Sequence, residues 1–554
     1  MKLDWTLSGG ETLHLFLKPV GGAETARATL DSGERSIPLE APASDDFMRA
    51  ETGGLSAGPL ALSFDETTTA LSLAYVFHPD RVTAEGIRVL FSTERNRRDP
   101  HRYRLHAAPT FGWINDPNGF SEVDGLVHLF FQHYPHSLRW NTMHWGHLVS
   151  RNGIDWVQQP IFLLPRPELL ADDNKVGGAF SGSALVEADG GLRIFYTDRQ
   201  DDREPNWEWQ VTAVTQDGIA AGPSTPLITE TPAVPGFRKD FRDPYVFRGP
   251  DGRWKMLLGG GTDSAAVILL YESETENAAS DWRFVGVVHH EETTQKLPAE
   301  CPCMVALDGE GAGLHVLIFG LLGSRDAVSR RRNITIGLVG RFDGRSFTPQ
   351  SRHELDYGTD AYAFQGIVGK DGPYGIAWAA NWTDVFKDQD FPSSMTLPRR
   401  LVWQDGSLST PPIDAVTALR TAEAPRALPA DGADVALKDG LGEVEITLEE
   451  GGAPFTLDFA HPDHHLSLGY EGGTLELFFT PPGKRPSPRY FIESITPRTV
   501  RIFIDVGLIE IYVDGGRWCI TKRIDSIAPI ASVSLRAAGG VAQAHVLNLR
   551  PQGG

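Results

Sequence analysis

Through the middle of the chain, apolar residues recur at every second position in short runs, and Asp-Gly or Gly-rich turns separate the runs. Such alternation predicts β-strands, because helical faces repeat every three to four residues. Five turn-and-strand runs share one layout: DGLVHLFFQHYP from Asp124, DGGLRIFYTD from Asp189, DGRWKMLLGGG from Asp251, EGAGLHVLIFGLL from Glu310 and DGPYGIAWAANW from Asp371. Their starts lie 65, 62, 59 and 61 residues apart, a period that signals a propeller or solenoid. Each unit continues into further β-rich runs, such as MHWGHLVSRNGIDW and NITIGLVGRFDGRSF. Asp-Gly between alternating runs is a hairpin signal. Four strands in each of five units predict a five-bladed β-propeller, whose radial repetition leaves only short edges. A β-sandwich stack of the same strands is the structural alternative.

The flanks read as separate β units in an all-β chain. Residues 1–100 hold alternating runs (TLHLFLKPV, ALSLAYVF, IRVLFSTE) that predict a small N-terminal β domain, with the propeller over 101–417. The Ala/Pro-rich stretch over 418–433 reads as a linker, and VEITLEE, FTLDFAH, TLELFFT and RIFIDVGLIEIYVDGG within 434–554 predict a C-terminal β-sandwich.

A length of 554 residues requires more than one domain. Lys plus Arg total 51 against 72 Asp plus Glu, a net charge of −21. That surface repels phosphodiester backbones, so no nucleic-acid partner is expected, whereas a neutral sugar is indifferent to it. No run reaches the roughly 18 to 20 apolar residues that cross a bilayer, so no membrane partner is expected. The start, MKLDWTLSGGETLHLF, lacks an apolar signal core, which predicts a cytoplasmic protein; a trimmed secreted form would read the same way. Three cysteines cannot build a disulfide framework.

Candidate chemistry sits at one phase of the repeat. Asp116, Ser181 and Asp243 each lie eight residues before their turn, Tyr362 nine and Glu300 ten. The first strand of a propeller blade lines the central channel, so this phase points Asp116, Asp243 and Glu300 from three blades into one funnel. Asp116 and Asp243 each precede a proline, a combination that also builds turns, and neither motif alone identifies a site. Together the three acids form a cluster whose like charges raise one another's pKa, an arrangement kept where it is used. No His-x-x-x-His or Cys-x-x-Cys spacing accompanies them. Cys301 and Cys303 are wrongly spaced, and His133, His136, His144 and His147 fall on mixed strand faces, so neither metal nor cofactor is expected. Trp113, Trp140, Trp145, Phe180, Trp207, Trp209, Tyr362, Trp378 and Trp382 lie near the same motifs. Aromatic rings beside amides and carboxylates suit a sugar.

GWINDPNGF, FRDP and AEC, in this order, resemble the three signature motifs of glycoside hydrolase family 32, the invertases, levanases, inulinases and related fructosyltransferases. HRYRLHAAP, FFQHYP, WNTMHWGH, AFSGS, DYGTDAYAFQ and SMTLPRRL add to the likeness, which runs from about Arg102 to Leu549. The resemblance implies a five-bladed propeller followed by a β-sandwich. It also implies Asp116 as nucleophile, Glu300 as general acid/base and Asp243, kept ionised beside Arg242, as transition-state stabiliser. Fructose contacts are implied at Asn115, Gln132, Trp140, Phe180, Ser181, Arg242, Tyr362 and Trp382, with Trp378 the alternative to Trp382. Two features depart from the family pattern. Cys303 stands where Asp is common, either altering the surroundings of Glu300 or repacking the strand. Residues 1–100 lie outside the usual core, as a binding module, an oligomerisation surface or a wall of the funnel; a homo-oligomer through either terminal β domain fits these readings.

The expected activity is a retaining β-fructofuranosidase acting on sucrose or short fructo-oligosaccharides. A fructosyltransferase and an exo-acting levanase or inulinase are the alternatives. A catalytically silent binder has no need of all three acids. Arabinan-type propeller hydrolases lack the Asn-Asp-Pro-Asn-Gly context, and their usual inverting chemistry needs a wider gap between carboxyls.

Overall fold

The computed structural model describes residues 1–547 except 33–34, 94–102, 173, 276, 294–296, 384–390, 449–451, 481–482, 525, 527 and 538. The expected boundary at 100/101 and the limits Arg102 and Leu549 lie outside the described residues. Sheets dominate, and among the described residues no helix is long and apolar enough to cross a membrane.

Four of the five central sheets are four-stranded antiparallel meanders in sequence order, and they form the first four blades. Their innermost strands are Trp113–Val123, Gly177–Val186, Phe237–Arg248 and Ala299–Ala306, and Tyr362–Gly369 leads the fifth blade. The first of these strands is buried through nine consecutive residues, since neighbouring blades cover both faces. Alternation is sharper where one face meets water, as in Ala26–Asp31 and Phe455–Phe459. Side chains close the ring. The Gln365 amide accepts from the Phe120 N–H (2.7 Å) and donates to the Gly182 carbonyl (2.9 Å), joining the fifth blade to the first and second. Tyr245 Oη donates to the Gly366 carbonyl at 2.8 Å.

The fifth sheet has three strands, not four. Its third strand is only Arg399–Arg400, and Val402–Gln404 pairs with Ser407–Ser409 as a separate hairpin. Pro398, Pro411 and Pro412 surround that strand and carry no N–H to extend a ladder.

The first residues form two four-stranded sheets that share a core, including Leu13, Leu15, Leu30 and Leu62. Phe16, Tyr75 and Phe77 from these sheets pack with Phe111 and Ile161 at the first blade. Tyr134 Oη donates to Asp46 Oδ1 (2.9 Å), and Ser72 Oγ lies 2.8 Å from His136 Nδ1. The C-terminal part is a sandwich of two six-stranded sheets. The stretch over 418–433 does not run free between units. Arg426–Ala427 pairs with Val541–His545, Leu428 is buried in the sandwich core, and Arg420 binds Glu443 and Glu445. Proline-rich chain is extended, and extended chain can still pair along a sheet edge.

Propeller and sandwich meet through buried charge. Both His106 ring nitrogens lie 2.8 Å from carboxylates, Nδ1 from Asp505 and Nε2 from Glu510, and all three side chains are fully buried. Arg399 spans Asp356 (3.1 Å) and Glu510 (2.7 Å). Burial opposes a charge on His106, yet the two carboxylates raise its pKa to about 9, while Arg399 and His106 hold Glu510 down to about 2. A raised histidine pKa stabilises the fold fully below the ordinary value near 6.5, and the contribution is lost as pH rises through about 9. His106→Gln is expected to cost about 3 kcal/mol by leaving buried carboxylates short of a cation. Urea titrations at pH 6.5 and 9.5 should show a larger fall in wild-type stability than in the variant.

Candidate active site

The repeat phase seen in the sequence has a structural counterpart in the strand register. On each innermost strand, two residues oppose one on the next strand. The pairs are Asn115–Asp116 against Gln132, Phe180–Ser181 against Thr197, Asp243–Pro244 against Leu258, Cys301–Pro302 against Phe319, and Ala363–Phe364 against Ala377. Each is a β-bulge, which bends a strand and re-aims its side chains. Asp243, Cys301 and Ala363, first in their pairs, have φ of 64°, 48° and 55°. This left-handed backbone is costly for residues with a Cβ, about 1 kcal/mol or more each, and must be held by its surroundings. Thr197 supplies part of that hold. Its Oγ1 accepts from the Asp243 N–H (3.0 Å) and donates to Gln210, whose amide donates to the Phe241 carbonyl.

The three acids meet around Cys301. The Cys301 backbone N–H donates to Asp243 Oδ2 at 2.8 Å, and its thiol lies 3.6 Å from that oxygen and 3.5 Å from Asp116 Oδ2. Ser181 Oγ donates to Asp116 Oδ2 at 2.7 Å. The other Asp116 oxygen is buried, and no hydrogen bond from the described residues reaches it, although Asp116 keeps 9% of its surface exposed. Glu300 Oε1 accepts two hydrogen bonds from Arg242, from Nε at 3.2 Å and Nη2 at 3.0 Å. Its Oε2 accepts from Tyr362 Oη at 2.8 Å. That contact depends on Gly320, cross-strand from Glu300, where a Cβ would sit 2.6 Å from the Tyr362 ring.

Burial is the largest influence on each acid and raises all three pKa values. Asp116 is opposed mainly by the Ser181 hydrogen bond, and Glu300 by Arg242. Asp243 is pushed up to about 8, with Glu300 and Asp116 adding to burial against Arg242. Arg242 thus favours the ionised form of Asp243 through its charge, against burial. Its guanidinium turns to Glu300, Asp240 and Glu208, while Asp243 receives hydrogen bonds from Cys301.

The remaining predicted contacts surround this cluster. Trp113 Nε1 donates to Asn115 Oδ1 at 2.6 Å, and Gln132 Nε2 donates to the Ala179 carbonyl at 2.9 Å. Half-buried Trp140 and Phe180 meet edge to face at 6.1 Å. Trp382 is half-buried and stacks on Trp113 at 6.1 Å, whereas Trp378 is fully buried and donates to Ser393. Trp145 is a core residue. Cys303 turns away from the acids, is buried in the core, and lies 3.5 Å from the Phe364 carbonyl. The sequence reading missed Glu208, a fully buried acid that binds Arg199 and Arg242.

Residues 106–412 match the model of the glycosyl hydrolases family 32 N-terminal domain, and residues 439–551 match that of the family 32 C terminal. The chain belongs to glycosyl hydrolase family 32. A sucrose-6-phosphate hydrolase of Escherichia coli is 30% identical over 472 residues, 80% of this chain and 92% of that protein. A raffinose invertase of Escherichia coli is also 30% identical, over 79% of this chain and 92% of its own length. A family 32 structure from Bifidobacterium adolescentis covers 99% of both chains with a TM-score of 0.87 at 22% identity, a likeness of fold that includes the N-terminal sheets. The Lactobacillus gasseri sucrose-6-phosphate hydrolase structure, 26% identical, covers 81% of this family 32 chain and 94% of its own, with a TM-score of 0.69.

All three thiols of this family 32 glycosidase are held protonated, Cys301 by burial and the adjoining carboxylates, Cys303 and Cys519 by burial that raises them to about 12. A colorimetric thiol titration at pH 8 should find no fast-reacting thiol in the native protein and three after denaturation. A fast native thiol would contradict this account.

Proposed function

We propose that this chain is a retaining β-fructofuranosidase that releases terminal β-D-fructofuranosyl units from sucrose or short fructo-oligosaccharides. One observation carries the reading: carboxyl groups from three different blades adjoin one thiol and one guanidinium in a buried cluster. The names of the relatives, sucrose-6-phosphate hydrolase and raffinose invertase, support the same class of reaction. Residues 1–100 are read as a β unit packed on the propeller of 101–417, and 434–554 as the sandwich.

In this mechanism Asp116 attacks C2 of the fructosyl unit. Glu300, protonated, gives its proton to the departing glycosidic oxygen. A covalent fructosyl-Asp116 ester results, and the leaving sugar departs neutral. Glu300, now ionised, takes a proton from water, whose oxygen attacks C2 and frees Asp116. Burial supports this cycle, because a buried trio of acids keeps a proton that separated carboxyls would lose at neutral pH. Arg242 opposes that retention at Glu300 and stabilises the ionised form needed for the second step. Asp243 is assigned to the ring hydroxyls, where its hydrogen bonds strengthen as positive charge develops at C2. Asn115, Gln132 and Ser181 are assigned to the sugar's polar edge, and Trp140, Phe180 and Trp382 to its apolar face.

Asp116→Ala and Glu300→Ala should each lower sucrose turnover by orders of magnitude, about 10³-fold or more, while leaving thermal unfolding in place. Azide should partly restore Glu300→Ala and leave Asp116→Ala inactive. Either variant retaining near wild-type turnover removes the assigned role. Time courses at low and high sucrose should release equal glucose and fructose; excess glucose with new trisaccharides would make transfer the main reaction.

A further inference from the structure

Glu208 opens the third strand of the second blade, Glu208–Thr215, separated from that blade's innermost strand by one strand. Its side chain is completely buried and its hydrogen bonds are specific. Oε1 accepts from Arg242 Nη1 and from Arg199 Nη1, both at 3.0 Å. Oε2 accepts from the Phe241 N–H at 2.6 Å, two residues before Asp243. The same Arg242 nitrogen reaches Asp240 at 3.0 Å, while Nε and Nη2 are committed to Glu300. One guanidinium thus has acids on two sides, Glu208 and Asp240 behind it and Glu300 in front.

We propose that Glu208 is a positioning residue for Glu300, acting through Arg242. The inference rests on Glu300 being the acid/base. An arginine left alone beside Glu300 would draw off the proton that a general acid must keep, since a facing cation favours the carboxylate. Glu208 counters this in two ways. Its negative charge offsets part of the Arg242 field at Glu300. Its grip on Nη1 and on the Phe241 N–H also fixes where the guanidinium stands, so that Nε and Nη2 both meet a single Glu300 oxygen. Oε2 of Glu300 is then left to Tyr362 and, in the reaction, to the leaving group. Arg199 extends the arrangement outward. Its guanidinium lies over the rings of Phe180 (5.3 Å) and Trp207 (4.6 Å), so the carboxylate that sets Arg242 also holds the cation against which these two rings pack.

Glu208→Gln keeps the shape and removes the charge. Arg242 then acts more strongly on Glu300, whose proton is lost at lower pH. The basic limb of the kcat/KM profile for sucrose should move down by about one pH unit, and activity above that limb should fall about tenfold. Glu208→Asp keeps the charge at shorter reach, so kcat should fall while the basic limb stays near its wild-type position. A purely structural role would lower activity at every pH and leave the limb in place in both variants. Should Glu208→Gln fail to fold, Asp240→Asn serves instead, as it neutralises the other acid on the same Arg242 nitrogen nearer the surface; it should move the limb in the same direction by less. An unmoved limb in Glu208→Gln, or equal shifts in Glu208→Gln and Glu208→Asp, overturns the proposal. If Glu300→Ala itself retains turnover, the acid/base assignment fails instead.

Discussion

The cluster of acids depends on one backbone constraint repeated five times. Within every innermost strand the ladder takes two residues against one, and the extra residue bends the strand. Without it, strict alternation would send neighbouring side chains to opposite faces, between the blades. With it, consecutive residues such as Glu300 and Cys301 both join the same buried cluster. Blade packing forces the chain into this shape, and the left-handed φ values at Asp243, Cys301 and Ala363 show that local preference did not choose it.

That constraint explains why so much of the site was legible in the sequence. Hairpin turns follow each innermost strand, so counting back from Asp124, Asp189, Asp251, Glu310 and Asp371 lands on the bulge in the first three blades and on the residue before it in the last two. The offsets of eight, eight, eight, nine and ten identify Asp116, Ser181, Asp243, Tyr362 and Glu300 as residues on one ring. The repeat likewise gave the blade count, and alternation gave the sandwich. The short fifth sheet was signalled only by its prolines.

Partnerships across the fold were not legible. Glu208 and Arg242 are 34 residues apart, Arg242 and Glu300 are 58, and His106 and Asp505 are 399. No periodicity relates residues at those separations, and each pairing depends on how strands stack. The direction in which Arg242 points is an example: adjacency suggested Asp243, but its hydrogen bonds go to Glu300, Asp240 and Glu208, and Asp243 takes its own from Cys301. Composition misled at 418–433, where alanine and proline suggested a loose tether. Extended backbone that places Leu428 in the sandwich core proved enough to join a sheet edge. Trp378 and Trp382 are indistinguishable by residue type, and only burial separates the core ring from the half-exposed one.

The ionic seam between propeller and sandwich has a consequence for how the protein can be divided. His106 and Arg399 belong to the propeller side, but Asp505 and Glu510 come from the C-terminal half. A propeller cut free would leave His106 without the two carboxylates that keep it charged and Arg399 with Asp356 alone, and an isolated sandwich would carry two anions without their cations. Neither fragment is an interchangeable part, and a graft between relatives would have to move all four residues together.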